Sequence, residues 1–142
     1  MEELYRQLRP FLLITDISFM SYWLVSALVV AGIVDISTDY LFNDYYNEYV
    51  FAWNWSFFPL DVLFAVTGFW SLRLHRLGNP NWLGMALVSM VLTFCAGFMA
   101  VSYWALRLEF DPLWWIPNLI LVIWPLCFLP RVFSAMNSKP AA

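Results

Sequence analysis

Four apolar runs, each long enough to cross a bilayer, leave this chain few ways to fold. They cover about residues 10–34, 55–74, 82–106 and 113–132. A hydrocarbon core of about 30 Å requires roughly 20 helical residues. Backbone polar groups find no water there, so each crossing is a helix or a strand of a closed barrel. The runs are too long for barrel strands and lack strict alternation. The expectation is an all-α polytopic membrane protein, a four-transmembrane-helix bundle forming one integral membrane domain over residues 1–142. Only 12 % of the residues are charged and 63 % are hydrophobic, which sets aside a disordered chain and a nucleic-acid partner.

The first run is too long for the apolar region of a signal peptide, and no small-residue cleavage pattern follows Val34. It reads as a retained helix preceded by a short polar lead-in, Met1–Arg9. Basic residues set the expected orientation. Arg6 and Arg9 precede the first run, Arg73 and Arg76 follow the second, and Arg131 and Lys139 follow the fourth. Arg107 stands on the other side with Glu109 and Asp111, and the connection between the first two runs carries Asp35, Asp39, Asp44 and Glu48 without a base. The positive-inside rule then places both termini in the cytoplasm of a multi-pass protein of the cell (inner) membrane. Trp53, Trp55, Trp104, Trp114 and Trp115 cluster at the expected outer interface, while Trp82 marks the inner one. Asn79-Pro80 and Asp111-Pro112 signal short turns that make the last three helices antiparallel neighbours.

Two ionisable groups fall at membrane depth, where they are costly and mark candidate functional positions. Asp16 is expected about two turns into the first helix, and Asp61 about two turns into the second from the opposite side. Ala65 and Gly68 share a helical face with Asp61, and small residues of that kind face other helices rather than lipid. Asn118 falls at a depth similar to Asp61, just after Pro117, which cannot donate a backbone hydrogen bond. The candidate site is an outward-facing pocket of Asp61, Asn118, Tyr103 and Asn54, walled by Trp53, Phe57, Trp104 and Trp114. An interhelical hydrogen bond worth about 1 kcal/mol and a role in binding or proton transfer are equally weighted readings of Asp61. Asp16 reads more simply as an acid near the interface, paired with Arg9, Arg76 or Arg131.

Thr15, Ser18, Tyr22 and Ser26 in the first helix, and Ser89, Thr93 and Gly97 in the third, read as close-packing stripes. The acidic, tyrosine-rich stretch 35–52 reads as a solvated connector, with a lid as the alternative. Asn54-Trp55-Ser56 matches a glycosylation pattern, but in a position against the membrane. The single histidine, His75, lies in a turn among arginines, so neither a haem pair nor a metal site is expected. Cys95 and Cys127 form no redox motif, and no crossing run contains a lysine that could carry retinal. No phosphate-binding or dinucleotide fingerprint is present. No cofactor is evident, although an aromatic interior of this kind is compatible with a bound lipid, quinone or pigment.

The segments FLLITDISFMSYWL, AWNWSFFPLDVLFAVTG and FDPLWWIPNLILVIWPL resemble the YvaD-like family of small bacterial membrane proteins. That resemblance spans most of the chain and implies four transmembrane helices without an assigned activity. The long first connection, the acid early in the second helix and the proline-broken fourth helix are also similar to the emopamil-binding (EXPERA) superfamily. This second resemblance implies a sterol- or lipid-like ligand held between helices, with Asp61 and Asn118, and then Asp16, at the corresponding positions. The crossing helices contain no histidine, so binding is implied rather than isomerisation. Small multidrug transporters share four helices and an acid in the first, but are shorter and nearly loopless.

Three functions from different classes follow. The first is a protein binding a hydrophobic or lipid-like small molecule in the Asp61/Asn118 pocket. The second is an accessory or scaffold subunit of a larger membrane complex, docking through its tryptophan-rich rim. The third is a proton-coupled transporter using Asp16. No catalytic motif identifies an enzyme.

Overall fold

A computed structural model describes residues 1–137; Lys139 and the Asp39 side chain lie outside what it describes. Helices α1 (Glu2–Val30), α2 (Glu48–Ser56), α3 (Phe58–Arg76), α4 (Trp82–Leu106) and α5 (Pro112–Asn137) carry the fold, and no strand occurs among the described residues. Four spans are long and apolar enough to cross a membrane, with α2 and α3 together forming the second. The chain is therefore a four-span helical membrane protein.

Local chemistry explains where the helices begin and end. The lead-in expected at Met1–Arg9 is the start of α1, which contains Pro10 and runs to Val30. Gly32 ends it short of Val34: at φ 69° it lets its own N–H reach the Val29 carbonyl and the Ile33 N–H reach that of Leu28. Asn47 caps α2, its side chain accepting from the N–H groups of Tyr49 and Val50. The second span thus starts seven residues before Trp55 and breaks at Phe57, where Pro59 opens α3 and removes a ladder donor. Helix α5 continues past Val132 to Asn137, with Pro117, Pro125 and Pro130 inside it.

In cross-section the order is α1, α3, α4, α5, with α4 packed extensively on both α3 and α5 and α1 packed chiefly on α3. Close approach is built from small residues. A Cβ at Gly97 would come within 2.6 Å of the Asn118 carbonyl oxygen and of Leu121 Cβ. Ser89 Oγ donates to the Phe64 carbonyl at 2.9 Å, and Ser71 Oγ donates to that of Trp82 at 2.9 Å. Each hydroxyl thereby satisfies itself while pinning α3 to α4.

The two ends of the bundle differ. At the terminal end α1 and α5 close on one another: Phe11 packs against Trp124 and Phe128, and Arg131 donates to Gln7 Oε1 at 2.7 Å. At the loop end, the 35–52 connection is a folded cap rather than a solvated connector. Leu41, Phe42 and Val50 are buried with Trp104, and Tyr45, Phe51 and Trp114 pack around them. Asp35, Asp44 and Glu48 are exposed, while the apolar residues of the segment cover the helix ends.

Candidate functional site

A cavity of about 300 Å³ lies beneath that cap, between α1 and α5 and floored by α3 and α4. Asp61, Asn118, Asn54, Trp53, Phe57 and Trp114, all candidates from the sequence, line it. Tyr103 and Trp104 do not. Both rings lie against Trp53, which does line it. Tyr103 stacks on Trp53 with ring centroids 3.8 Å apart and accepts a hydrogen bond from Arg107. Trp104 is buried in the cap cluster, edge-on to Trp53.

Asp61 occupies the first turn of α3, where the helix N-terminus favours a negative group. It is buried, and its Oδ2 accepts from Trp23 Nε1 of α1 at 2.9 Å. Its Oδ1 is also buried but has no hydrogen-bond partner. Across the cavity, Asn118 donates from Nδ2 to the Trp114 carbonyl at 2.8 Å. Pro117 cannot supply the N–H that the Leu113 carbonyl would otherwise receive. At the roof, Asn54 Nδ2 donates to the Tyr22 hydroxyl at 3.2 Å, and that hydroxyl donates to the Leu41 carbonyl at 3.3 Å. Asn54 is therefore an internal strut, buried between helix and cap, and not a glycosylation acceptor.

Tyr22 and Trp23 are participants that sequence reasoning missed: Tyr22 reads there as part of a packing stripe, and Trp23 is given no role. A usable signal exists for Trp23: an indole N–H at membrane depth requires an acceptor, and Asp61 is the available acid on the facing helix.

Asp16 corrects a different expectation. It sits midway along α1, is fully buried, and neither oxygen has a hydrogen-bond partner. Pairing with Arg9, Arg76 or Arg131 does not occur. The early start of α1 puts Asp16 deep in the bundle, and Arg131 is engaged with Gln7 instead. The carboxyl fits because α3 offers Gly68, where any Cβ would overlap it. Asp16 does not line the cavity.

At the terminal end His75 stacks on Tyr5 with centroids 3.4 Å apart, meets Trp82 edge-on, and lies 3.2 Å from a Glu2 carboxylate oxygen. It is a packing residue that joins α1 to α3. No cluster of three metal-binding side chains occurs among the described residues.

Comparison with known proteins gives the chain its relatives. Residues 8–139 match the model of a family of unknown function, DUF5360. The chain is 44 % identical over 124 residues to the uncharacterized protein YvaD of Bacillus subtilis (strain 168), covering 87 % of this chain and 90 % of that one. These matches carry the YvaD-like resemblance and not the emopamil-binding one. No solved structure matches the chain. The matched length and the identity together show that this chain belongs to the DUF5360 family.

Proposed function

We propose that the protein binds a hydrophobic or lipid-like small molecule in the cavity beneath the cap. The observation that carries this reading is a buried carboxyl, Asp61, with one unpartnered oxygen on the wall of an aromatic cavity of about 300 Å³. Small-molecule sites are of this kind: mostly apolar, with a few placed polar groups that fix orientation. A bundle built only for packing would have no use for the space, and polar groups at that depth are costly. The basic bias of the sequence supports an orientation with both termini in the cytoplasm, which puts the cavity in the outer half of the cell's inner membrane.

Native mass spectrometry of the gently extracted full chain tests the proposal. The wild type should carry a bound small-molecule mass. Ala100→Phe, which fills the cavity from the α4 floor, should lose it while retaining its helical circular dichroism. An unliganded wild type, or a mass bound equally by Ala100→Phe, would remove the reading.

A further inference from the structure

We infer that the cavity ligand is a lipophilic organic cation, an ammonium-bearing amphiphile whose head sits at Asp61 and whose apolar part faces the bilayer. The inference rests on the cavity being a ligand site and names the ligand's chemistry. Three features of the lining point the same way.

Among the described lining residues, the fully buried side-chain polar atom without a partner is a carboxyl oxygen, an acceptor when ionised. Asp61 Oδ1 is unpartnered. Asn118 has committed its Nδ2 to Trp114, leaving the amide oxygen as its acceptor, and the Leu113 carbonyl lacks the donor that Pro117 cannot provide. The indole N–H of Trp23 is already committed to Asp61. A ligand that satisfies this set brings donors or positive charge.

No Lys, Arg or His lines the cavity among the described residues, so the carboxyl of Asp61 has no cation of its own. A buried charge without a partner is strongly disfavoured, and a buried charge beside its counter-ion is not. The walls supply the second recognition element. Tyr22, Trp23, Trp53, Phe57 and Trp114 present ring systems around the same space, and aromatic faces attract ammonium groups, more so when desolvated. An anionic head would meet the Asp61 carboxyl and the ring faces together, and is rejected.

The mouth of the cavity accounts for the apolar part. Ser18 of α1 and Leu113 and Pro117 of α5 line the cavity yet are exposed. All three lie on spanning helices and open the cavity sideways between α1 and α5, while the exposed Tyr40 of the cap lines its upper edge. Below it, Phe11, Trp124 and Phe128 close the same two helices. About 300 Å³ holds a head group and a short apolar portion, and a longer tail leaves through this lateral gap.

Full-length protein in phosphatidylcholine nanodiscs provides the test, with tryptophan fluorescence as readout and protein-free nanodiscs subtracted for partitioning. Three probes share a chain and differ in head: decyltrimethylammonium, decanol and decanoate. The cation is expected to bind about tenfold tighter than decanol, the size of one aromatic and charge contact, and decanoate weakest. Asp61→Asn should erase the cation's preference, and Asp61→Glu should keep it. Because the wild type alone ranks the three probes, the result stands even if a variant folds poorly. Decanol binding as tightly as the cation would overturn the charge inference and leave hydrophobic binding intact. Saturable binding by none of the three would overturn both.

Discussion

The Asp16 carboxyl of α1 occupies the space that a side chain at Gly68 of α3 would fill. The relation is mirrored two turns away, where Asp61 of α3 takes the indole N–H of Trp23 of α1. Trp23 follows Asp16 by seven residues and Gly68 follows Asp61 by seven, so two antiparallel helices exchange an acid in each direction. Seven residues rise about 10 Å along a helix, which keeps the two carboxyls apart. They are separate sites and not a catalytic pair. One has a donor and a cavity beside it; the other has only a glycine to make room for it.

This register gives a first prediction. Gly68→Ala drives a methyl group into the Asp16 carboxyl and should destabilise the protein by about 1–3 kcal/mol, the ordinary cost of overpacking. Adding Asp16→Ala should recover most of that loss, measured by unfolding in mild detergent. Additive losses in the double variant would contradict the contact.

Trp23→Phe removes the donor to Asp61 Oδ2 while retaining an aromatic ring. The lost interhelical hydrogen bond should cost about 1 kcal/mol, and adding Asp61→Leu, which leaves no acceptor at that position, should cost little more for this bond, because either change removes it. A double-mutant cycle on thermal stability reads the coupling.

The cap should open independently of the bundle. Phe42 is 1 % exposed among Leu41, Val50 and Trp104, so Phe42→Ala should cost the cap about 3 kcal/mol in lost burial and cavity formation. Hydrogen exchange should rise across residues 41–50 and stay low in α4. Uniform acceleration through all helices would show instead that cap and bundle unfold together.

Leu108 ends α4 in the left-handed region at φ 56°, with its N–H on the Ala105 carbonyl and the Glu109 N–H on that of Trp104. This is the position at which helices favour glycine. Leu108 is exposed, so Leu108→Gly loses little packing and should raise stability by about 1 kcal/mol. An unchanged or lower unfolding midpoint would count against the strain.

Arg107 clasps the cap. It donates to Tyr103, to Glu109 and to Asp44, and the Tyr103 hydroxyl and Glu109 hold its guanidinium above its ordinary value. A base raised in the folded state contributes below its unfolded value and loses that contribution only in strong alkali. The stability gap between wild type and Arg107→Gln should therefore not change through loss of the Arg107 proton between pH 6 and 9. It should shrink with added salt, because the pairs are exposed.

The spanning helices were legible because lipid enforces a coarse rule, namely that about 20 apolar residues form a helix. The α4 helix, bounded by Asn79-Pro80 and Asp111-Pro112, has the limits its sequence suggests. Six of the eight proposed pocket residues line one cavity, since Asp61, Asn118 and their neighbours share a depth that rise per residue already sets. Depth is a one-dimensional quantity, and sequence carries it. Azimuth and register between helices are not. Trp23 reaching Asp61, Asp16 lodging against Gly68, and the 35–52 segment folding over Tyr22 and Trp104 each join residues far apart in the chain. Only tertiary packing decides such contacts, because many rotations bury the same apolar area, and steric fit at Gly68 and Gly97 selects among them.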